Sequence, residues 1–322
     1  MDVVSAAEVH AICDYRQLAA ALLAAHRGDE PLVDRSELHA VGPRGERQTW
    51  FTLPAFLPGI AMGAKLVSVM PANPRLFPQT PAVQAVYVLF DGTDGSPAAV
   101  IDATSMTYRK TAADSALGSD LLSRADSRVL LMVGAGGLAP YLIAAHCALR
   151  PSICEIMVWA RRIDRAVALA TAVGGRAVAS LESAVRRADI ISCATASTAP
   201  LVMGAWLKPG AHLDLVGAFS GDMRECDDAA VMRSRLFVDS RVFAIDQPGD
   251  LGDPIRRGII PRDQVEADLF DLACGYAPRR QPGDITLYKN GGGGHLDLFT
   301  ALFIISARKA STAEDDRCSP SN

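Results

Sequence analysis

The stretch "VLLMVGAGGLAPYLIAAH", residues 129–146, puts a glycine-rich turn in the middle of the chain, between an apolar run and a helix-like pattern. Val129 to Val133 run into Gly134, then Gly136 and Gly137 follow, and apolar residues at helical spacing take over from Leu138. Parallel strands cannot be joined by a tight hairpin and need a crossover, usually a helix, so a strand that turns directly into a helix predicts a βα step. Further apolar runs recur downstream at "EIMVWA" (155–160), "DIISCAT" (189–195), "HLDLVG" (212–217) and "LFVDS" (236–240). That beat predicts a doubly wound, mostly parallel α/β sheet.

Gly134-Ala135-Gly136-Gly137-Leu138-Ala139 has the form GxGxxA. The first glycine permits a tight turn, the second lets a pyrophosphate approach the backbone, and a small residue at Ala139 lets helix pack closely on strand. The helix start then offers free N–H groups and the positive end of its dipole to the phosphates. Gly-rich turns also join strands to helices for steric reasons alone, and the surrounding βα pattern is what favours a dinucleotide. The next strand ends in Ala160 and is followed by Arg161 and Arg162 rather than by an acidic residue. A carboxylate there would accept from a ribose 2′-hydroxyl, whereas guanidinium groups pair with a 2′-phosphate, so NADPH is expected, with NADH as the lesser cofactor. Ala194, Thr195 and Ala196, after the "DIISCAT" strand, are expected to line the ribose and nicotinamide.

Upstream, "SAAEVHAICDYRQLAAALLAAHRG" reads as one or two amphipathic helices opened by Ser5 with Glu8 three residues on. Residues 38–100 switch to short alternating runs split by Gly, Pro and Asp-Gly turns, which predicts antiparallel strands, with "DGTDGS" as a hairpin turn. "MTYRKTAADSALGSDLL" is helical in pattern, and the polar segment "KASTAEDDRCSPSN" predicts a frayed tail.

At 322 residues the chain is long enough for two cores. A formal net charge of −4 gives no footprint for nucleic acid or an anionic membrane. No run of about 18 apolar residues and no basic leader followed by an apolar run is present, and the seven cysteines stand singly without ligand spacing. Reduced thiols, no metal and a cytoplasmic location are therefore expected. Cys193 and Cys226 fall near the predicted site, but neither has an adjacent base to make it a nucleophile.

With "GAKLVSVMPANP", "MTYRKTAADSAL", "GAHLDLVGAFSGDMRECD" and "ITLYKNGGGGHLDL" in that order around the glycine turn, the chain resembles the ornithine cyclodeaminase/mu-crystallin family from about Ser5 to Lys309. The resemblance implies a Rossmann-type domain, residues 116–297, inserted in an α+β substrate and dimerisation domain, residues 1–115, to which residues 298–322 return. It also implies a homodimer and a small amino or imino acid held between the domains by basic side chains. Lys65 matches the family's substrate lysine. Lys110, with Arg109 just before it, stands where most members carry the substrate arginine, which leaves open which of the two grips the carboxylate. Arg35 loosely matches a further substrate arginine.

Ornithine cyclodeaminases carry an aspartate two residues after the strand's "VG", and here Phe219 stands there. A phenyl ring neither accepts a proton nor orients water, so deamination loses its general base, and an apolar wall beside the nicotinamide is implied instead. Asp222 belongs to the turn that follows. Among family members the chain is most similar to reductases of Δ1-pyrroline-2-carboxylate, which implies NADPH-dependent reduction of a small cyclic imino acid. Ornithine cyclodeaminase, an amino-acid dehydrogenase and a non-enzymatic NADPH-dependent ligand-binding protein of mu-crystallin type stay as alternatives. The glycines 291–294 suggest a loop closing over the site. His295 after them is a candidate imine proton donor, with a packed or hydrogen-bonded histidine the favoured alternative, and His212 reads as structural.

Overall fold

The computed structural model describes residues 1–278 and 281–318. The chain divides into two compact units, Met1–Lys110 together with the segment from Gly293 onward, and Thr111–Gly292. The first division falls inside the helix Ala103–Leu122, where no change of composition marks it, so it lies earlier than the boundary at residue 115 expected from sequence.

The first unit is built on a seven-stranded sheet. Its strands are β1 (Asp2–Val4), β2 (Leu32–Val33), β3 (Ser36–Val41), β4 (Arg47–Leu57), β5 (Ala61–Val69), β6 (Val83–Asp91) and β7 (Pro97–Asp102). They run in the order β1-β7-β6-β5-β4-β2, with β3 also paired to β4. Only β1 is parallel to its neighbour. The "DGTDGS" turn joins β6 to β7, with Gly95 at φ 75° and the Asp91 carboxylate accepting from Thr93 N at 2.8 Å. Strand alternation sends Leu53, Ala55, Gly63, Lys65, Val67, Tyr87, Leu89 and Ile101 to the covered face of the sheet. Against that face lies the helix Gly294–Cys318, and the helix Tyr15–Ala25 packs against that helix. The helical segment expected at the N-terminus is two helices, Ala6–Ile12 and Tyr15–Ala25, because Asp14 interrupts it and caps the second through Arg16 N (3.0 Å) and Gln17 N (3.1 Å). The frayed tail expected from residue 309 is corrected: the last helix continues to Cys318, and residues 319–322 lie outside the described residues. Its first turns pack Leu296, Leu298 and Phe299 into the core, which anchors the helix.

In the second unit every strand pairing is parallel. The strands are β8 (Val129–Val133), β9 (Glu155–Trp159), β10 (Arg176–Ala177), β11 (Ile190–Cys193), β12 (His212–Leu215), β13 (Ser234–Val238), β14 (Val265–Ala267) and β15 (Ile285–Lys289). Their order is β10-β9-β8-β11-β12-β15-β13-β14. The five runs read from sequence are β8, β9, β11, β12 and β13. The sequence reading missed β15, which lies between β12 and β13 with all five of its residues buried. Among the described residues no helix is long and apolar enough to cross a membrane.

Candidate functional site

Strand order reverses between β8 and β11: successive strands step outward to β9 and β10 on one side and to β12 on the other. Ligands of open α/β sheets bind at such a reversal, beyond the carboxyl ends of the strands. A cavity of about 600 Å³ lies there, lined by Gly134, Ala135 and Gly136 after β8, by Trp159 to Arg162 and Arg165 after β9, and by Ala194 to Ser197 and Leu201 after β11. Gly134 has φ 115°, a conformation closed to residues with a Cβ, and a Cβ there would sit 2.6 Å from Ala194 O. Around Gly136 a Cβ would meet nothing within 4 Å, so a side chain would project into open space where a phosphate needs the bare backbone. Leu138 precedes the helix Ala139–Leu149 as its N-cap, and Ala139 is fully buried. These features fit a dinucleotide: a turn that only glycine can make, a helix start beyond it, and guanidinium groups at the end of β9.

Arg165 is a lining residue that the sequence reading passed over. Its signal was helical spacing, since it stands in the first turn of the helix Ile163–Val173, three residues after Arg162. Phe219 is 62% exposed on the segment after β12 and is not among the residues that line this cavity. The Asp222 carboxylate accepts from Ser220 Oγ at 2.6 Å, which keeps it within its turn. His212 is buried with Nδ1 2.9 Å from Thr286 Oγ1. Burial pushes the Cys193 and Cys226 thiols up, which leaves them protonated and unreactive.

The first unit holds the charged centre. Lys65 Nζ lies 3.2 and 2.9 Å from the two carboxylate oxygens of Asp297, and Lys110 Nζ lies 3.3 Å from Oδ1. The three residues are 6%, 2% and 0% exposed, so this is an ion cluster removed from bulk water. Strand alternation aims Lys65 inward from β5, the helix Ala103–Leu122 carries Lys110, and the first turn of the helix Gly294–Cys318 carries Asp297. The backbones approach closely here: a Cβ at Gly294 would lie 2.7 Å from Pro54 O. Gly63, on the same face as Lys65, leaves room for the Tyr87 ring, whose hydroxyl would be 2.5 Å from a Cβ at that position. Two ammoniums facing one carboxylate leave a positive charge in a dry place, which a small carboxylate can neutralise.

Between Arg109 and Lys110 the geometry favours Lys110. Consecutive helical residues point about 100° apart. Arg109 accordingly faces elsewhere, donating to His10 Nδ1 (3.1 Å) and His10 O (3.0 Å) and lying 5.0 Å over the Tyr15 ring. Arg35 pairs with Glu37, stands 5.1 Å over the Phe51 ring and reaches Lys65 only through its field. His295 is buried edge-on to the rings of His26 (5.6 Å) and Phe299 (6.3 Å). Burial first, then the charges of His26 and Lys110, hold its pKa well below the usual histidine range. Burial and these neighbours favour the neutral ring, in keeping with the packed histidine that was the alternative to a proton donor. Asp297 is the residue whose role the sequence reading missed, and the signal available was an acidic charge in the first turn of a helix that opens with buried apolar residues.

Residues 2–311 match the model of the ornithine cyclodeaminase/mu-crystallin family. The chain is 45% identical over 262 residues, 80% of its length and 82% of the relative's, to Δ1-pyrroline-2-carboxylate reductase of Paracoccus denitrificans. It is 34% identical over 228 residues, 70% of its length and 69% of the relative's, to ketimine reductase mu-crystallin of Mus musculus. Among solved structures, Thermococcus litoralis Δ1-pyrroline-2-carboxylate reductase in complex with NADH and L-proline has a TM-score of 0.86 at 25% identity, covering 97% of this chain and 98% of that one. By a family-model match over residues 2–311 and 45% identity to a relative over 80% of its own length, the chain belongs to the ornithine cyclodeaminase/mu-crystallin family.

Proposed function

We propose that the chain reduces a small cyclic imino acid, Δ1-pyrroline-2-carboxylate to L-proline or its six-membered analogue Δ1-piperideine-2-carboxylate to L-pipecolate, using NADPH. The observation that carries this reading is the buried Lys65–Lys110–Asp297 cluster, which has room in its charge balance for one monocarboxylate. The relatives named as reductases of Δ1-pyrroline-2-carboxylate support the same substrate class. When bound, the nicotinamide supplies the hydride. Lys65 and Lys110 hold the carboxylate, and Asp297 fixes the two ammoniums so that little reorganisation is needed on binding. Low exposure around the cluster strengthens these interactions and limits competition from water. Phe219 provides no base for ammonia loss, which favours a substrate that already contains its C=N bond.

Arg161 and Arg162, joined by Arg165, support NADPH over NADH. Purified protein is expected to oxidise NADPH with either cyclic imino acid and to release no ammonia from ornithine, followed by nicotinamide absorbance and an ammonia assay. Arg161→Asp is expected to raise KM for NADPH by roughly tenfold or more while changing KM for NADH less than threefold, the size of one lost charge-assisted pair. Ammonia and proline formed from ornithine would overturn the assignment, and equal losses for the two cofactors would remove the arginines from the ribose.

A homodimer is part of the same proposal. The open face of the first sheet is apolar, with a groove of about 410 Å³ lined by Leu32, Pro54, Phe56, Met62, Ala64 and Phe90. Leu32 is 67% and Phe56 37% exposed, a cost in water that a second copy of the same face would relieve. Light scattering is expected to give twice the 34.1 kDa chain mass, and Phe56→Glu to give the single mass. A monomer at micromolar concentration for the parent protein would refute it.

A further inference from the structure

The mechanism leaves unused a fully buried carboxylate in the second unit, and every acceptor position on it is taken. Glu225 Oε1 accepts from Thr195 N at 2.7 Å and Thr195 Oγ1 at 2.9 Å. Its Oε2 accepts from Gly217 N at 2.7 Å and Ala218 N at 3.3 Å. Thr195 belongs to the segment after β11 that lines the cavity, and Gly217 and Ala218 begin the segment after β12 that leads to Phe219. The two segments meet so tightly that a Cβ on Gly217 would lie 2.1 Å from Thr195 O. Behind Glu225, the Asp250 carboxylate accepts from Glu225 N at 2.7 Å and lies 3.3 Å from Lys289 Nζ, and all three side chains are buried.

We propose that Glu225 is a positioning residue of the nucleotide site, its carboxylate tying the two strand-end segments together so that Ala194, Thr195 and Ala196 form a fixed wall for the nicotinamide ribose. The inference rests on reading the cavity as a nicotinamide nucleotide site. Only an ionised carboxylate can serve, because each oxygen meets two donors and an amide nitrogen or a protonated oxygen would face donors instead of accepting from them. Protonation of Glu225 therefore breaks the tie. The groups that face it are Asp250, Lys289 and the thiols of Cys193 and Cys226. Burial first, then Asp250, raise its pKa, while Lys289 and the Thr195 bonds oppose the rise, so the proton arrives nearer neutrality than for an exposed glutamate. The sign follows: nucleotide affinity is full above that pKa and declines as pH falls through it.

The test is titration of NADPH fluorescence with the parent chain, Glu225→Gln and Glu225→Asp between pH 5.5 and 8, with steady-state kinetics alongside. Expected are a Kd for NADPH raised roughly tenfold or more in the Gln variant, the loss of one charge-assisted bond, and a change of less than twofold in KM for the imino acid. The parent Kd should climb on acidification more steeply than that of the Gln variant, in which only the 2′-phosphate of NADPH titrates, and the Asp variant should recover part of the affinity. Should the Gln variant not fold, the acid limb of the parent and the Asp variant's intermediate Kd carry the test. Parent-like NADPH binding by Glu225→Gln, or a parent Kd independent of pH, would overturn the role of Glu225 alone. A parent that binds no nicotinamide nucleotide would overturn the reading of the cavity as well.

Discussion

Lys65→Met is expected to lower kcat/KM for the cyclic imino acid by roughly thirtyfold to a few thousandfold, since truncating one partner of a buried, hydrogen-bonded charge pair costs about 2–5 kcal/mol. Methionine keeps most of the volume and removes the charge, so Asp297 then has only Lys110 within 3.3 Å and no positive charge remains for the substrate. The effect should appear mainly in KM for the imino acid and leave KM for NADPH within about twofold. A pH signature accompanies it. Burial is the first cause that draws the Lys65 ammonium down from its usual value to about 8, with Asp297 opposing and Lys110 adding to the fall. An amine with a lowered pKa is charged below that value, so kcat/KM of the parent should hold below pH 8 and decline as the pH rises through it. In Lys65→Met that alkaline limb should vanish. Rate profiles of both proteins check the point, and an unchanged limb in the variant would assign it to another group or to the substrate itself.

Gly134→Ala is the second large effect. At φ 115° a Cβ is strained by about 1–3 kcal/mol, and this one would also press on Ala194 O at 2.6 Å and Ala194 C at 3.1 Å. Ala194 is part of the cavity wall, so relief of the clash moves the wall. Expected are a melting temperature lower by roughly 2–10 °C and a Kd for NADPH raised at least about tenfold. Gly136→Ala separates folding from binding. Its Cβ meets nothing within 4 Å, so the melting temperature should stay within about a degree while the nucleotide still weakens. Calorimetry with nucleotide titration measures both, and a Gly134→Ala protein that binds NADPH as the parent does would refute the assignment of the turn.

The glycine turn was legible in the sequence because its chemistry is local: a φ that only glycine takes and a small residue at Ala139 are fixed within six positions. The five apolar runs were legible for a related reason, as each is buried or half-buried along its length and bounded by turn residues. What escaped depended on distant parts of the chain. The run "ITLYK" ends in a lysine, yet Lys289 is fully buried with Asp250 3.3 Å away. Asp297 meets Lys65 across 232 positions, a pairing no local pattern announces. Arg109 and Lys110 were equivalent as letters and were separated only by the direction each takes from a helix. The proton-donor reading of His295 rests on the ordinary histidine pKa, whereas its burial against His26 and Phe299 favours the packed alternative.

Residues 285–318 have a further consequence, for the order in which the protein can assemble. They supply β15, the strand between β12 and β13, and the helix that covers β4, β5 and β6. Neither unit has its closing piece until this stretch has left the ribosome. β7 is complete at Asp102, and at about 5–20 residues per second the wait until Gly294 is roughly 10–40 s. Through that interval the first sheet lacks its covering helix, and once β12 and β13 have emerged the second sheet has an unfilled gap between them, so a ribosome stall just upstream of Ile285 is expected to favour aggregation.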